Sequence, residues 1–390
     1  MQPPDTALTG FLADPLNLRL DLATSITECT RSLGLDSAAV YLADLQQRHL
    51  LPLDTAEDAL GVDDSLAGAC YRTQSPRVGA EQPPGPVTAW LPLVDGSERL
   101  GVMAVRAPRM DEDALRRAGA LAALCAMMIT SKRAYKDTFV RRARTEDMTL
   151  AAEMLRAYLP PRTIGSPRVV STAVLEPAYE IGGDAFDHAL SNDTLHAAIV
   201  DAAGHNLASG LTTVVSLAAC RNARRTGATL PELVESVDAA LSTWLPQLFC
   251  TAVLSQLDLA SGRFRWLNCG HPAPLLLRAG RVVPGALERT AEPPMGLPAL
   301  FSSTARHVHE VALEPGDRVL MYTDGVVESR TIEGKQLGIE RFIDQILLAT
   351  AAEDLAPETL RRVIHSLLDA PEHKLSDDAT ILMLEWCPDD

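Results

Sequence analysis

Apolar residues recur three and four apart at Leu16, Leu20, Ala23, Ile26, Cys29 and Leu33, which predicts an amphipathic helix stopped at Gly34. The period then shortens. Ser37 to Ala43 reads as a strand, and Thr88–Val94 with Arg99–Val105 reads as a hairpin turned at Asp95-Gly96. Asp111 caps a further helix running to about Ile129. From 131 to 160 the chain is charged and lacks Gly and Pro until Pro160-Pro161. Leu150, Met154, Leu155 and Tyr158 fall at helical spacing there, so one connecting helix is expected to end at the double proline.

Beyond residue 165 strands and helices alternate in uneven blocks. Val169–Leu175, Leu195–Val200, Thr251–Leu259, Arg263–Leu267, Leu275–Leu277, His307–Leu313, Val319–Tyr322 and Thr380–Trp386 read as strands. Leu207–Arg225, Leu230–Leu245, Ile339–Leu348 and Pro357–Asp369 read as helices, the second opened by the capping box Thr229-x-x-Glu232. Runs of adjacent strands point to antiparallel sheets with helices outside, an α/β class of the α+β kind. The organisation expected is a first domain over 10–130, a linker helix over 131–160, and a second domain over 165–388.

Composition narrows the function. The 390 residues carry 51 acidic against 35 basic side chains, a net charge of −16, which disfavours binding to nucleic acid or anionic membrane. No sequence segment reads as a membrane span or a secretory leader, because the apolar stretch Ala118–Ser131 is Ala-rich and flanked by Arg and Lys. Seven scattered cysteines without a Cys-x-x-Cys pair suit a reducing compartment, so a cytoplasmic location is expected.

Candidate chemistry gathers at strand ends. Leu195–Val200 runs into Asp201, and Val319–Thr323 runs into Asp324-Gly325. The final strand instead begins after Asp377-Asp378; run antiparallel to the other two, it starts at the edge where they end. A fourth acidic site, Gly182-Gly183-Asp184-Ala185-Phe186-Asp187, holds two glycines that let backbone approach closely. Any one strand-end Asp is an ordinary turn; four in order are not. Like charges at ~4 Å repel by about 1 kcal/mol in water and ~4 at an effective dielectric near 20. With no matching Lys or Arg nearby, two divalent cations, Mn²⁺ or Mg²⁺, are the natural compensators, able to activate a bridging water and clamp a phosphoryl group. His205 and His271 read as hydrogen-bonded turn residues, and His307 with His309 lacks a third ligand for zinc.

These residues make the region from Glu180 to Thr380 resemble the PPM (type 2C-like) serine/threonine protein phosphatases, in the stage II sporulation E branch. The blocks are EIGGDAFD at 180–187, VDAAGH at 200–205, LNCGHP at 267–272, MYTDGV at 321–326 and DDAT at 377–380. The resemblance implies an α-β-β-α sandwich of two antiparallel sheets flanked by helices. It implies catalytic Asp201, Asp324 and Asp377. It also implies a metal set in which Asp201 would bridge both ions, with the Ala202 carbonyl, Asp324 and Asp377 as ligands, Asp378 as outer partner and Asp184 acting through water, and Asp187 a weaker candidate. Ala203 and Asn206 depart from the Ser and Gly common in the family, which bears on loop geometry and rate.

The first zone resembles a GAF domain through Ser65-Leu66-Ala67-Gly68, Ser75-Pro76-Arg77-Val78, Leu91-Pro92-Leu93-Val94 and Leu100-Gly101-Val102. That resemblance leaves room for a small-molecule ligand or for simple homodimerisation. Together the two imply hydrolysis of phosphoserine or phosphothreonine on a phosphorylated STAS-type anti-anti-sigma protein, under control of the GAF-like domain. The alternative is a regulatory binding module that keeps the fold with little or no turnover. A nucleotide-hydrolysing or kinase-like enzyme is disfavoured by the absence of a Gly-x-x-x-x-Gly-Lys-Ser/Thr loop.

Overall fold

A computed structural model describes residues 22–54, 57–79, 85–204, 206–297, 306–328, 330–331, 338–352, 354–369, 373–374 and 377–388. Leu16 and Leu20 of the first expected helix, and His205, lie outside these residues. Contacts divide the chain into two compact units, residues 1–146 and 147–390.

The first unit runs α1 (Leu22–Ser32), β1 (Ser37–Ala43), β2 (His49–Pro52), β3 (Leu60–Gly61), α2 (Leu66–Thr73), β4 (Arg77–Val78), β5 (Val87–Asp95), β6 (Glu98–Ala107), α3 (Glu112–Arg133) and α4 (Asp137–Arg142). Its strands form one antiparallel sheet in the order β3-β2-β1-β6-β5-β4. Both faces are covered, because alternate strand residues point to opposite sides. Ile26 of α1 and Leu121 and Cys125 of α3 pack on Val40, Leu91 and Met103, while Cys70 and Tyr71 of α2 pack on Tyr41 and Val102. By length and apolar composition α3 would suffice to cross a membrane; half of that stretch is buried within this unit.

The second unit opens with α5 (Leu150–Tyr158), β7 (Thr163–Ser166), β8 (Val169–Glu176), β9 (Asp184–Ser191) and β10 (Thr194–Ala202). The helical pair α6 (Leu207–Arg225) and α7 (Leu230–Trp244) follows, then β11 (Cys250–Asp258), β12 (Arg263–Cys269), β13 (Leu275–Arg278), β14 (Arg281–Val282), β15 (His309–Ala312) and β16 (Arg318–Tyr322). The remainder is α8 (Asp324–Glu328), β17 (Arg330–Thr331), α9 (Gly338–Thr350), α10 (Ala356–Asp369), β18 (His373–Lys374) and β19 (Ala379–Trp386). Two large antiparallel sheets result, ordered β15-β12-β11-β10-β9 and β14-β13-β16-β19-β8-β7, with β17 and β18 paired separately. One core joins both sheets to α5, α6 and α7 through Leu155, Phe186, Leu217, Val237, Trp266 and Leu382. A second core seats Phe342 of α9 and Leu360 and Ile364 of α10 on the outer face of β16 and β19. The sandwich of helix, sheet, sheet and helix is therefore present, and β19 runs antiparallel to β16 as expected.

The single linker helix over 131–160 does not form. Lys132 and Arg133 finish α3, residues 137–142 make the short α4, and helix resumes only at Leu150. The intervening Arg144-Thr145-Glu146-Asp147 offers no apolar anchors. Thr149 ends it: its hydroxyl accepts from the Ala152 amide, and its own amide donates to the Tyr179 carbonyl at 3.0 Å. The buried face of α5 is Ala151, Ala152 and Leu155, whereas Leu150 is 69% exposed. Strand β9 was read only as a glycine-led acidic loop, because Asp184, Asp187 and His188 hide its apolar alternation.

Candidate metal centre

The acidic residues come from both sheets. Asp184 begins β9 and stands directly across the ladder from Asp201 near the end of β10, so the two share one face. In the other sheet β16 delivers Asp324, and the segment before antiparallel β19 delivers Asp377 and Asp378 to the same end.

Asp184 bolts the sheets together. It is 2% exposed, and its Oδ2 accepts the Thr323 hydroxyl at 2.6 Å and the Thr380 hydroxyl at 2.7 Å, both from the opposite sheet. The Thr380 amide in turn donates to Thr323 Oγ1 at 2.9 Å. Asp378 is buried, and its Oδ2 accepts the amides of Gly182, Gly183 and Asp184 at 2.8, 2.8 and 3.2 Å. Asp377 is exposed, and its Oδ1 accepts the Asp378 amide at 2.9 Å.

Gly183 is needed for proximity: a Cβ there would sit 2.5 Å from the Ala202 carbonyl oxygen and 2.7 Å from that of Gly204. Asn206 caps α6 immediately beyond, its Oδ1 accepting from Ala208 and Ser209 while Ser209 Oγ accepts from the Asn206 amide. The departure from Gly at this position thus supplies a helix cap.

Among the described residues, charge accumulates here without a basic partner. Burial, then the charges of Asp324, Asp377 and Asp378, pushes the Asp201 carboxyl up to about 7. Burial, then Asp201 and Asp378, holds Asp184 well above the usual carboxylate range despite its two hydroxyl donors. Burial raises Asp378 against the pull of its three amides, and burial, Glu328 and Asp377 raise Asp324. The ion pairs among the described residues engage none of these five carboxylates. Among the described residues no three acidic, His or Cys side chains already close on one point at ligating distance.

Asp187 does not belong to this edge. Three residues along β9 from Asp184, it faces the other way, where Arg221 and Arg224 of α6 hold it at 2.7 Å each. His307 lies 3.4 Å from Glu292, and His309 packs on Trp266. Residue-by-residue reading missed Thr323 and Thr380. Their signal is position: one directly precedes Asp324, the other follows Asp378 by two.

The donor set is hard oxygen throughout, the surplus charge has no compensating cation among the described residues, and the Gly183 cradle brings the backbone against the Ala202 carbonyl. Those features fit divalent cations of the Mg²⁺ or Mn²⁺ type. A family model described as stage II sporulation protein E (SpoIIE) matches residues 191–387. Phosphoserine phosphatase RsbU of Bacillus subtilis (strain 168) is 20% identical over 215 residues, 54% of this chain and 62% of RsbU. Phosphoserine phosphatase RsbP of the same organism is 24% identical over 155 residues, 38% of this chain and 37% of RsbP. The chain thus spans less than two thirds of either relative. Among solved structures, the SiaA-PP2C domain of Pseudomonas aeruginosa shares the fold, with a TM-score of 0.51 and 22% identity over 60% of this chain and 94% of that one.

Proposed function

Because the chain belongs to the stage II sporulation protein E family of PP2C-type phosphatases, we propose that it hydrolyses phosphoserine or phosphothreonine monoesters on a protein substrate with the help of two divalent cations. The observation that carries this reading is the gathering of Asp184, Asp201, Asp324, Asp377 and Asp378 from two sheets onto one edge, with no ion pair to any of them among the described residues. Asp201, the Ala202 carbonyl, Asp324 and Asp377 are the direct ligands in this proposal. Asp184 and Asp378 hold the ligand-bearing loops in place through the Thr323, Thr380 and amide contacts. When bound, such cations supply Lewis acidity that lowers the pKa of water and neutralises phosphoryl oxygens.

The substrate proposed is a phosphorylated STAS-type anti-anti-sigma protein, with the enzyme acting in a sigma-factor partner-switching pathway in the cytoplasm. The region 10–130 is proposed as a GAF-like sensor that binds a small molecule or pairs with a second copy, and 165–388 as the phosphatase. The test is to incubate the metal-loaded protein with phosphorylated STAS proteins from its own genome and to follow loss of phosphate by mass. Hydrolysis of p-nitrophenyl phosphate without loss from any STAS protein would keep the enzyme and discard the substrate. No hydrolysis of either with Mn²⁺ would favour a binding module.

A further inference from the structure

Thr251 stands directly opposite Asp201 across the β10–β11 ladder, on the same face of the sheet. Its hydroxyl lies 2.8 Å from Nδ1 of His271, a residue only 4% exposed. Asn268 fixes that histidine's backbone: its Oδ1 accepts the His271 amide and its Nδ2 donates to the His271 carbonyl, each at 2.8 Å. Among the described residues Nε2 has no partner of good hydrogen-bond geometry, while the Tyr322 backbone, two residues before Asp324, is the polar group that favours a proton on the ring. Burial holds the imidazole neutral, with its pKa down to about 3. A neutral ring carries one proton, and with Nδ1 on the Thr251 hydroxyl the Tyr322 backbone favours that proton on Nε2.

We infer that His271 and Thr251 form a positioning pair in which Nδ1 accepts the Thr251 proton, so that the hydroxyl across from Asp201 cannot donate to its carboxylate. Asp184 has two hydroxyls on one oxygen; among the described residues Asp201 has no side-chain donor at all. The pair thereby keeps both Asp201 oxygens open to a divalent cation. The inference rests on the metal-dependent phosphatase reading and concerns only how Asp201 is kept available.

Two measurements test it. Nitrogen-15 NMR of the histidines in the metal-free protein should show His271 as the Nε2–H tautomer from pH 5 to 8. The Nδ1–H tautomer would overturn the inference whatever the variants do. Calorimetry with Mn²⁺ alone should then show His271→Leu binding roughly 10-fold or more weakly than wild type. Thr251→Val should bind like wild type, and the double variant should recover wild-type affinity because the competing hydroxyl is gone. A double variant as weak as His271→Leu would make His271 a packing residue only and sink the proposal. If wild type binds Mn²⁺ yet fails to hydrolyse p-nitrophenyl phosphate, the phosphatase reading falls while the binding comparison still decides this one.

Discussion

Asp201 concentrates the electrostatic cost of the site. Its carboxyl, pushed up to about 7, keeps a proton in the native metal-free protein that the unfolded chain has lost above pH ~4. The folded state therefore binds more protons across that window, and stability falls as pH rises through it. Each unit of difference corresponds to ~1.4 kcal/mol, so the metal-free protein should melt lower at pH 8 than at pH 5.5. Mn²⁺ should raise Tm more at pH 8, and Asp201→Asn should flatten the pH dependence; identical melts at both pH values for wild type would contradict this account. Asp201→Asn, Asp324→Asn and Asp377→Asn should each lower p-nitrophenyl phosphate hydrolysis by on the order of 100-fold or more while remaining folded by circular dichroism. Wild-type turnover in any two would refute the ligand assignment. Chelation should abolish activity, Mn²⁺ or Mg²⁺ should restore it, and Zn²⁺ should not. The acidic positions were legible because each interrupts an apolar strand pattern beside a turn. The hydroxyls of Thr323, Thr380 and Thr251 were not, since their partners lie across a sheet or between sheets and no local spacing encodes that pairing.

At the scale of elements, a joint between α5, α6 and β9 ties the start of the second unit to the strand that carries Asp184. Arg221 reaches both Asp187 and the Tyr158 carbonyl, tying the end of α5 to β9 through α6. Removing the carboxylate with Asp187→Ala leaves two guanidinium groups without it in a mostly buried setting and should cost about 3–5 kcal/mol in urea unfolding. Leu155→Ala should cost roughly 2–5 kcal/mol, because Leu155 is fully buried. Leu150→Ala should stay within about 0.5 kcal/mol, since that side chain faces solvent. Equal effects at 150 and 155 would mean α5 packs differently. Helices α6 and α7 were readable to within a residue because periodicity, caps and length agree. The stretch 131–160 reads as one helix because helical propensity is continuous there, while the bond that holds Thr149 to the Tyr179 carbonyl is not a local signal.

At the scale of the whole molecule, every residue assigned to the metal edge and both sandwich cores fall within 147–390. A fragment beginning at Asp147 should therefore fold cooperatively and hydrolyse p-nitrophenyl phosphate with Mn²⁺. Loss of folding in that fragment would show that the second unit depends on the first. Comparing its turnover of a phosphoprotein with that of the full chain measures what residues 1–146 impose. The place of β19 has a further consequence, for synthesis. It is made after both of its neighbours, yet it lies in the interior of its sheet, between β16 and β8, and Asp378 just ahead of it gathers the amides of residues 182–184. A nascent chain emerging from the ribosome has a vacant slot between two strands made far apart in time, and its glycine loop stays unclamped until residues 377–386 thread home. Closure of the acidic edge thus waits on residues 377–386, and a ribosome stalled before Asp377 would display a sheet with an open slot and an edge short of two of its five carboxylates.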